Sequence, residues 1–413
     1  MLTSSSKIFK KSNIAHLWTF LFGCCSGTLL MLTGNSLNFW LAKLNIDLKT
    51  IGLFSLIGLP YVLKYFIAPF IERYCPFGIN RRKSWLVIFA ILILVLGTAL
   101  GNSQPQNNFY ITAIFGFLLA LFAVSTDIIL DSYRVDLADF YQSHGNSSSS
   151  FVSGYKIGML LSSSGAIFLS TIISWNIIYI IFSSFITIMI LVFVRFLPNI
   201  NNHHQDGSIK TSLLAIFLKP LVQFKSKGEL LIVIIFVLIY KISDQYILSM
   251  INPFLLHLNY NEYEISFVAK TFGTFGSIIG SIIGGILIGK FGIKNCLFYF
   301  AILHSISNLL FIVQENIGHN LPILYMLTAF GTVSSGMTMS VYISYIMSQC
   351  SGKYSGTRYA FYSSLIGCSR VLLPSPSGYI VEIFGWKLFF ILMIIISIPG
   401  IILTKFIPQR KIA

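Results

Sequence analysis

The sequence predicts an all-α membrane protein with twelve transmembrane helices in two six-helix bundles. Three observations predict it. Of 413 residues, 55% are hydrophobic and only 10% charged, with mean hydropathy +0.80. Roughly twelve apolar stretches approach the ~20 residues that a helix needs to cross a bilayer. A polar stretch near the middle divides them six and six.

The stretches fall at approximately 15–40, 49–71, 84–101, 108–130, 150–173, 176–197, 229–251, 264–289, 293–313, 321–346, 355–381 and 386–407. Lys7, Lys10 and Lys11 precede the first. That run is too long for a signal peptide and lacks a small-residue cleavage site, so it reads as a retained helix. Ser147–Ser150, after His144, Gly145 and Asn146, reads as a loop between spans four and five. The polar stretch Pro198–Gly228 carries Asn201, Asn202, His203, His204, Gln205, Asp206 and Gly207 and reads as a linker. The domains expected are therefore 1–197, a cytoplasmic linker 198–228, and 229–413.

The net charge of +15 follows the membrane's sidedness. With both termini cytoplasmic, only Lys43, Lys49 and Lys387 fall on the far side, while twenty Lys and Arg fall in loops and helix ends on the cytoplasmic side. This positive-inside bias supports an even number of spans. It leaves no basic, aromatic face outside the membrane for nucleic acid. Cys24, Cys25, Cys75, Cys296, Cys350 and Cys368 lack metal or disulfide spacing, and the adjacent His203 and His204 cannot converge on a metal without further ligands. No metal, cofactor or catalytic residue is expected, and no nucleophile–base pattern suggests an enzyme.

Six charges interrupt apolar segments: Lys64, Asp127, Lys241, Asp244, Lys270 and Arg370. Ionisable groups at bilayer depth are costly, and each is a functional candidate. Asp127, Asp131 and Arg134 share one helical face, with Asp127 inside the apolar run. Asp127 suits a proton site, whereas Asp131 and Arg134 suit a gate or a static bridge with a neighbour such as Lys156. Lys241 and Asp244 are neighbours by spacing, and an unpaired lysine some ~18 Å into its span would be very costly, so they are expected to pair. Arg370 falls ~22 Å into span eleven, near the middle. Lys64 falls nearer the cytoplasmic end of span two, Lys270 nearer the outer end of span eight. Four cations against two anions favour an anionic substrate, and arginine's fork suits carboxylate or phosphate.

Gly276, Gly280 and Gly284 line one face of span eight, for sliding or for tight static packing. Pro60, Pro69, Pro253, Pro374 and Pro376 permit kinks. The link after span two, Glu72-Arg73-Tyr74 and then Arg81-Arg82-Lys83, resembles the major-facilitator signature. Its counterpart around Gly289-Lys290-Phe291-Gly292-Ile293-Lys294 lacks the acid.

A more specific resemblance covers about residues 20–400. Thr50–Phe54, Gly58–Lys64, Ala68-Pro69, Asp127–Arg134 and Gly154–Met159 resemble the AmpG family of muropeptide permeases. So do Lys241–Asp244, Pro253–Leu255, Lys270–Gly273, Tyr354–Ser364, Arg370, Pro374 and Gly378. The resemblance implies a major facilitator fold and proton-driven import of anhydro-muropeptides into the cytoplasm across a bacterial inner membrane. Related acetyl-CoA transporters share the pattern, and a sensor with this fold is a further alternative.

Glu72 stands where the family usually has aspartate, Lys156 where arginine is common, and the first span lacks the usual proline. The expected roles are anion binding by Lys64, Lys241, Lys270, Arg370 and Tyr155, and proton coupling by Asp127 and Asp244. Glu72, Arg73, Arg81, Arg82, Asp131, Arg134 and Lys156 are expected at the cytoplasmic gate. The expected partners are a small anionic substrate, protons and membrane lipid, with the protein acting as a monomer.

Overall fold

The computed structural model describes residues 2–44, 55–77, 80–140, 144–197, 227–261, 264–350, 355–371, 373–374 and 376–408. Most of the expected linker, with its histidines, lies outside them, as do Thr50–Phe54 and the side chains of Lys7, Lys10, Lys11 and Lys270.

In chain order the α-helices are α1 (Leu2–Thr33), α2 (Asn35–Lys43), α3 (Leu59–Val62), α4 (Lys64–Arg73), α5 (Arg81–Gly101), α6 (Phe109–Phe140), α7 (His144–Leu160), α8 (Ala166–Leu169) and α9 (Trp175–Phe196). There follow α10 (Lys227–Ile239), α11 (Ile242–His257), α12 (Gly273–Phe291), α13 (Ile293–Ser307), α14 (Leu309–Ile317), α15 (Leu321–Gln349), α16 (Ser355–Val371) and α17 (Ser377–Leu403). Eight helical stretches among the described residues are long and apolar enough to cross a membrane.

Several expected spans are interrupted. Span two breaks at Leu63 (φ −85°, ψ 11°), directly before Lys64. Span seven breaks at Lys241 (φ −108°, ψ 14°), which places Asp244 in the first turn of α11, where the helix dipole favours an anion. The π-helical stretches Leu161–Gly165 and Ile265–Phe272 widen spans five and eight, and the second contains the backbone of Lys270. Helix α16 stops at Val371, one residue after Arg370, ahead of Pro374, so Arg370 lies in a helix's last turn. Gly385 turns the chain inside α17 at φ 73°, ψ 170°, a conformation that glycine alone adopts freely.

The chain forms two compact units. The first comprises Met1–Phe140, Gly154–Pro220 and Cys350–Ser364; the second comprises Tyr141–Ser153, Leu221–Gln349 and Leu365–Ala413. Helices α7 and α16 therefore each contribute one end to each unit. In the first unit α5 packs along α6 and α9, and Phe22 meets Phe193 edge-on at 5.1 Å. In the second, α12 packs along α15, and Phe254, Phe311, Phe389 and Phe390 fill the core between α11, α14 and α17.

The glycine face of α12 is in tight contact. A Cβ at Gly280 would run into the backbone of Val333, and one at Gly285 would sit 2.5 Å from Ser149 Cβ. Ser147–Ser150 corrects an expectation: these residues form the first turns of α7, not a loop, and Ser147, Ser148 and Ser149 are buried. Small hydroxyl side chains allow this close approach, and Ser148 Oγ donates to Met347 Sδ at 3.2 Å.

Candidate functional site

Among the described residues, each unit brings charged side chains together in its interior. In the first, α6 presents Asp127 and Asp131 to Lys64, the opening residue of α4. Lys64 is only 2% exposed. Its ammonium donates to Asp127 Oδ2 at 2.6 Å and Asp131 Oδ2 at 2.5 Å. The second oxygen of each carboxylate is also taken: Ser26 Oγ donates to Asp127 Oδ1 at 2.5 Å, and Arg134 Nη2 to Asp131 Oδ1 at 2.7 Å. The Tyr359 ring faces both cations, 4.7 Å from the Arg134 guanidinium carbon and 5.8 Å from Lys64 Nζ. Asp127 is the most accessible member, its side chain 18% exposed.

This arrangement changes the charge balance expected from sequence. Asp131, assigned to the cytoplasmic end of its helix, is buried and shares Lys64 with Asp127. Two cations thus meet two carboxylates, and Lys64 offers no free charge.

Farther along α6, Asp136 Oδ2 takes a charge-assisted bond from Arg82 Nη1 at 2.5 Å, and Asp136 Oδ1 accepts from Ser355 Oγ at 3.1 Å. Glu72 accepts from Thr357 twice, from its backbone N–H at 3.2 Å and its hydroxyl at 2.5 Å. Gly356 lets this turn approach, because a Cβ there would strike Ser132 Oγ and Glu72. Arg81 donates to the Glu72 carbonyl oxygen, and the Arg73 guanidinium lies 5.5 Å from the Tyr74 ring. Tyr155 and Lys156, on α7, are half-buried.

In the second unit Lys241 and Asp244 pair, as their spacing suggested. Asp244 Oδ2 also accepts from Ser335 Oγ at 3.1 Å, while Lys241 Nζ reaches Thr338 Oγ1 at 3.2 Å. His304, from α13, completes the group: its Nε2 lies 3.1 Å from Asp244 Oδ1 and its Nδ1 2.9 Å from Ser334 Oγ. A small cavity of about 10 Å³ adjoins Lys241, His304 and Thr338, and Tyr240, Ser243 and Ser305 also line it. Arg370 stands apart, exposed at the end of α16.

Sequence reading missed His304, Asp136, Ser26, Thr357 and Tyr359. A lone histidine inside the apolar run 293–313 was a signal for His304. Asp136 was hidden because it follows the apolar part of span four, where carboxylates look solvated. Among the described residues, no group of His, Cys, Asp and Glu could hold a metal ion.

Comparison with known proteins agrees with this architecture. The Major Facilitator Superfamily profile matches residues 19–269 and 234–412. "Putative transporter AmpG 1" of Rickettsia bellii (strain RML369-C) is 36% identical over 408 residues, covering 96% of this chain and 98% of the relative. "Anhydromuropeptide permease" of Escherichia coli (strain K12) is 28% identical over 399 residues, covering 96% of this chain and 80% of the relative. Among solved structures, the proton:xylose symporter XylE matches with a TM-score of 0.67 at 16% identity, covering 99% of this chain and 97% of its own. The human organic anion transporter MFSD10 matches with a TM-score of 0.71 at 14% identity, covering 96% and 99%. These last two likenesses concern the fold alone.

Proposed function

Because the chain belongs to the AmpG family of the major facilitator superfamily, we propose that it imports anhydro-muropeptides by alternating access, driven by protons. The protein is a multi-pass membrane transporter and not an enzyme. The bacterial inner membrane, cytoplasmic termini and a monomeric state belong to the proposal.

The observation that carries the reading is the pairing of every described mid-span lysine with a carboxylate. Lys64 is held by Asp127 and Asp131, and Lys241 by Asp244. A buried cation paired this way accepts an anionic substrate group only when its own carboxylate lets go. Protonating that carboxylate removes its charge and most of its hold on the ammonium. Proton and anion then enter together, which is the requirement of a symporter. Asp127, the most accessible acid, takes this role in the first unit, and Asp244 belongs to the matching step in the second. Lys64, Lys241, Lys270, Arg370 and Tyr155 make up the anion-binding set.

The gate consists of Glu72, Arg73, Arg81, Arg82, Asp131, Arg134 and Lys156. Glu72 and Asp136 hold the first turn of α16 through Thr357 and Ser355. The test is uptake by the purified protein in lipid vesicles, with labelled anhydro-muropeptide and labelled acetyl-CoA, with and without an imposed pH gradient. Accumulation of muropeptide only with the gradient is expected. Flux indifferent to the gradient removes proton coupling, and transport of acetyl-CoA instead removes the cargo.

A further inference from the structure

We propose that His304 is a proton-carrying residue of the second unit, which takes up a proton at Nδ1 and thereby frees Lys241 to bind a carboxylate of the substrate. This rests on the proton-driven reading above and adds to it a residue outside the motifs that carry the family resemblance.

The hydroxyl geometry supports the proposal. Ser334 Oγ lies within hydrogen-bonding distance of His304 Nδ1 (2.9 Å), Ser307 Oγ (2.9 Å) and the Gly331 carbonyl oxygen (3.0 Å). A serine has one hydroxyl proton and can also accept. When Ser334 donates to Nδ1, the imidazole is neutral, with Nε2–H donating to Asp244 Oδ1. When Ser334 turns its proton to Gly331, its oxygen accepts from Nδ1–H, and the imidazole is doubly protonated. Rotation of one hydroxyl therefore accommodates both states, and no heavy atom has to move. The proton gained is one from solution, and the charge of the group rises by one.

The neighbouring charges give that change a consequence. Asp244 faces His304 from α11, and Lys241 and Tyr240 from the turn before it; Cys296 lies on the same helix, α13. The elements α15 and α17 bring hydroxyls, from Ser334, Ser335, Thr338 and Ser397. With His304 neutral, Lys241 is the charge that balances Asp244. With His304 protonated, Asp244 has two cations, and Lys241 carries the surplus. An anion is then attracted to a site where, before protonation, it would have met a balanced pair. The adjoining polar cavity of about 10 Å³ admits about one water beside the ring, which provides a hydrogen-bonded step for the proton.

The test has two arms. In vesicles, the apparent KM of the wild type for labelled anhydro-muropeptide should fall several-fold as pH drops across the range in which a histidine changes charge. In His304→Gln that dependence should be reduced to what Asp127 contributes in the first unit. A wild-type profile retained in His304→Gln would overturn the proposal.

The second arm needs no substrate: histidine-selective ¹⁵N NMR of the full protein, with the His304 signals assigned by their loss in His304→Gln. Both ring nitrogens should move together from neutral to doubly protonated positions as pH falls. Signals fixed in one state over that range would overturn the proposal. If the wild type carries no muropeptide at all, the cargo reading fails, and the nitrogen signals still decide the role of His304.

Discussion

Replacing Lys64 with methionine isolates the contribution of the first buried charge group. The side chain is 3% exposed and that of Asp131 likewise, so solvent screens this pair little. Removing one partner of a buried pair costs about 3–5 kcal/mol, because the remaining charge is stranded. Asp131 keeps Arg134 Nη2 at 2.7 Å, which sets the expectation at the low end, about 3 kcal/mol. Asp127 is partly exposed and adds less.

A domain-sized unit shifts its melting temperature by about 2–4 °C per kcal/mol, so Lys64→Met should lower Tm by roughly 6–12 °C. The assay is thermal unfolding of the purified protein in detergent at one fixed scan rate, since membrane-protein unfolding is seldom reversible. Adding Asp127→Asn to Lys64→Met should recover part of the loss. The double variant leaves Asp131 and Arg134 as a balanced pair and no stranded carboxylate. A Tm change under about 2 °C in Lys64→Met would refute the reasoning, and so would a double variant less stable than the single one.

Three further outcomes follow from other parts of the structure. Ahead of the membrane-crossing helix Gly273–Phe291, the Glu264 carboxyl is held below its ordinary range, first by the Asn261 backbone N–H at 2.9 Å and then by His319 at 3.2 Å. A depressed carboxyl stabilises the fold above its unfolded pKa, and that contribution disappears as pH falls through the folded value. The Tm difference between wild type and Glu264→Gln should therefore be present at neutral pH and close in acid, below about pH 4. Gly280→Val should destabilise by at least about 1–3 kcal/mol, because its Cβ meets the Val333 backbone, whereas Gly289→Ala, where a Cβ meets nothing, should stabilise by about 0.5–1 kcal/mol; paired melts check both. Tyr260→Phe should cost about 1–3 kcal/mol in the same assay, since its hydroxyl accepts from Gln314 Nε2 and the Asn320 N–H, both at 2.7 Å.

What could be read from the sequence, and what could not, divides along physical lines. Membrane character is a sum over many residues, so single errors do not disturb it. The pairing of Lys241 with Asp244 was legible because three-residue spacing on a helix fixes proximity without knowledge of the fold. The partners of Lys64 lie 63 and 67 residues away, and only packing of α4 against α6 brings them together. Counting charges by their depth in a hydropathy profile therefore set Lys64 among four cations against two anions and left Asp131 out of that count, without showing that the two meet. The same blindness hid His304, which lies 60 residues from Asp244.

Helix interruptions followed a similar rule. The profile averages over a window and could not see that Leu63 and Lys241 leave helical geometry at the very positions where charges enter the apolar segments. Those two facts are connected. A break frees backbone carbonyls and donors that help to solvate an ion in a place without water, and it also lets a side chain leave the regular helical face to meet a partner. In each unit the break stands at or directly before the lysine, whereas Asp127, Asp131 and Arg134 ride on the unbroken α6, so the interruption belongs to the cation's side of each ion pair.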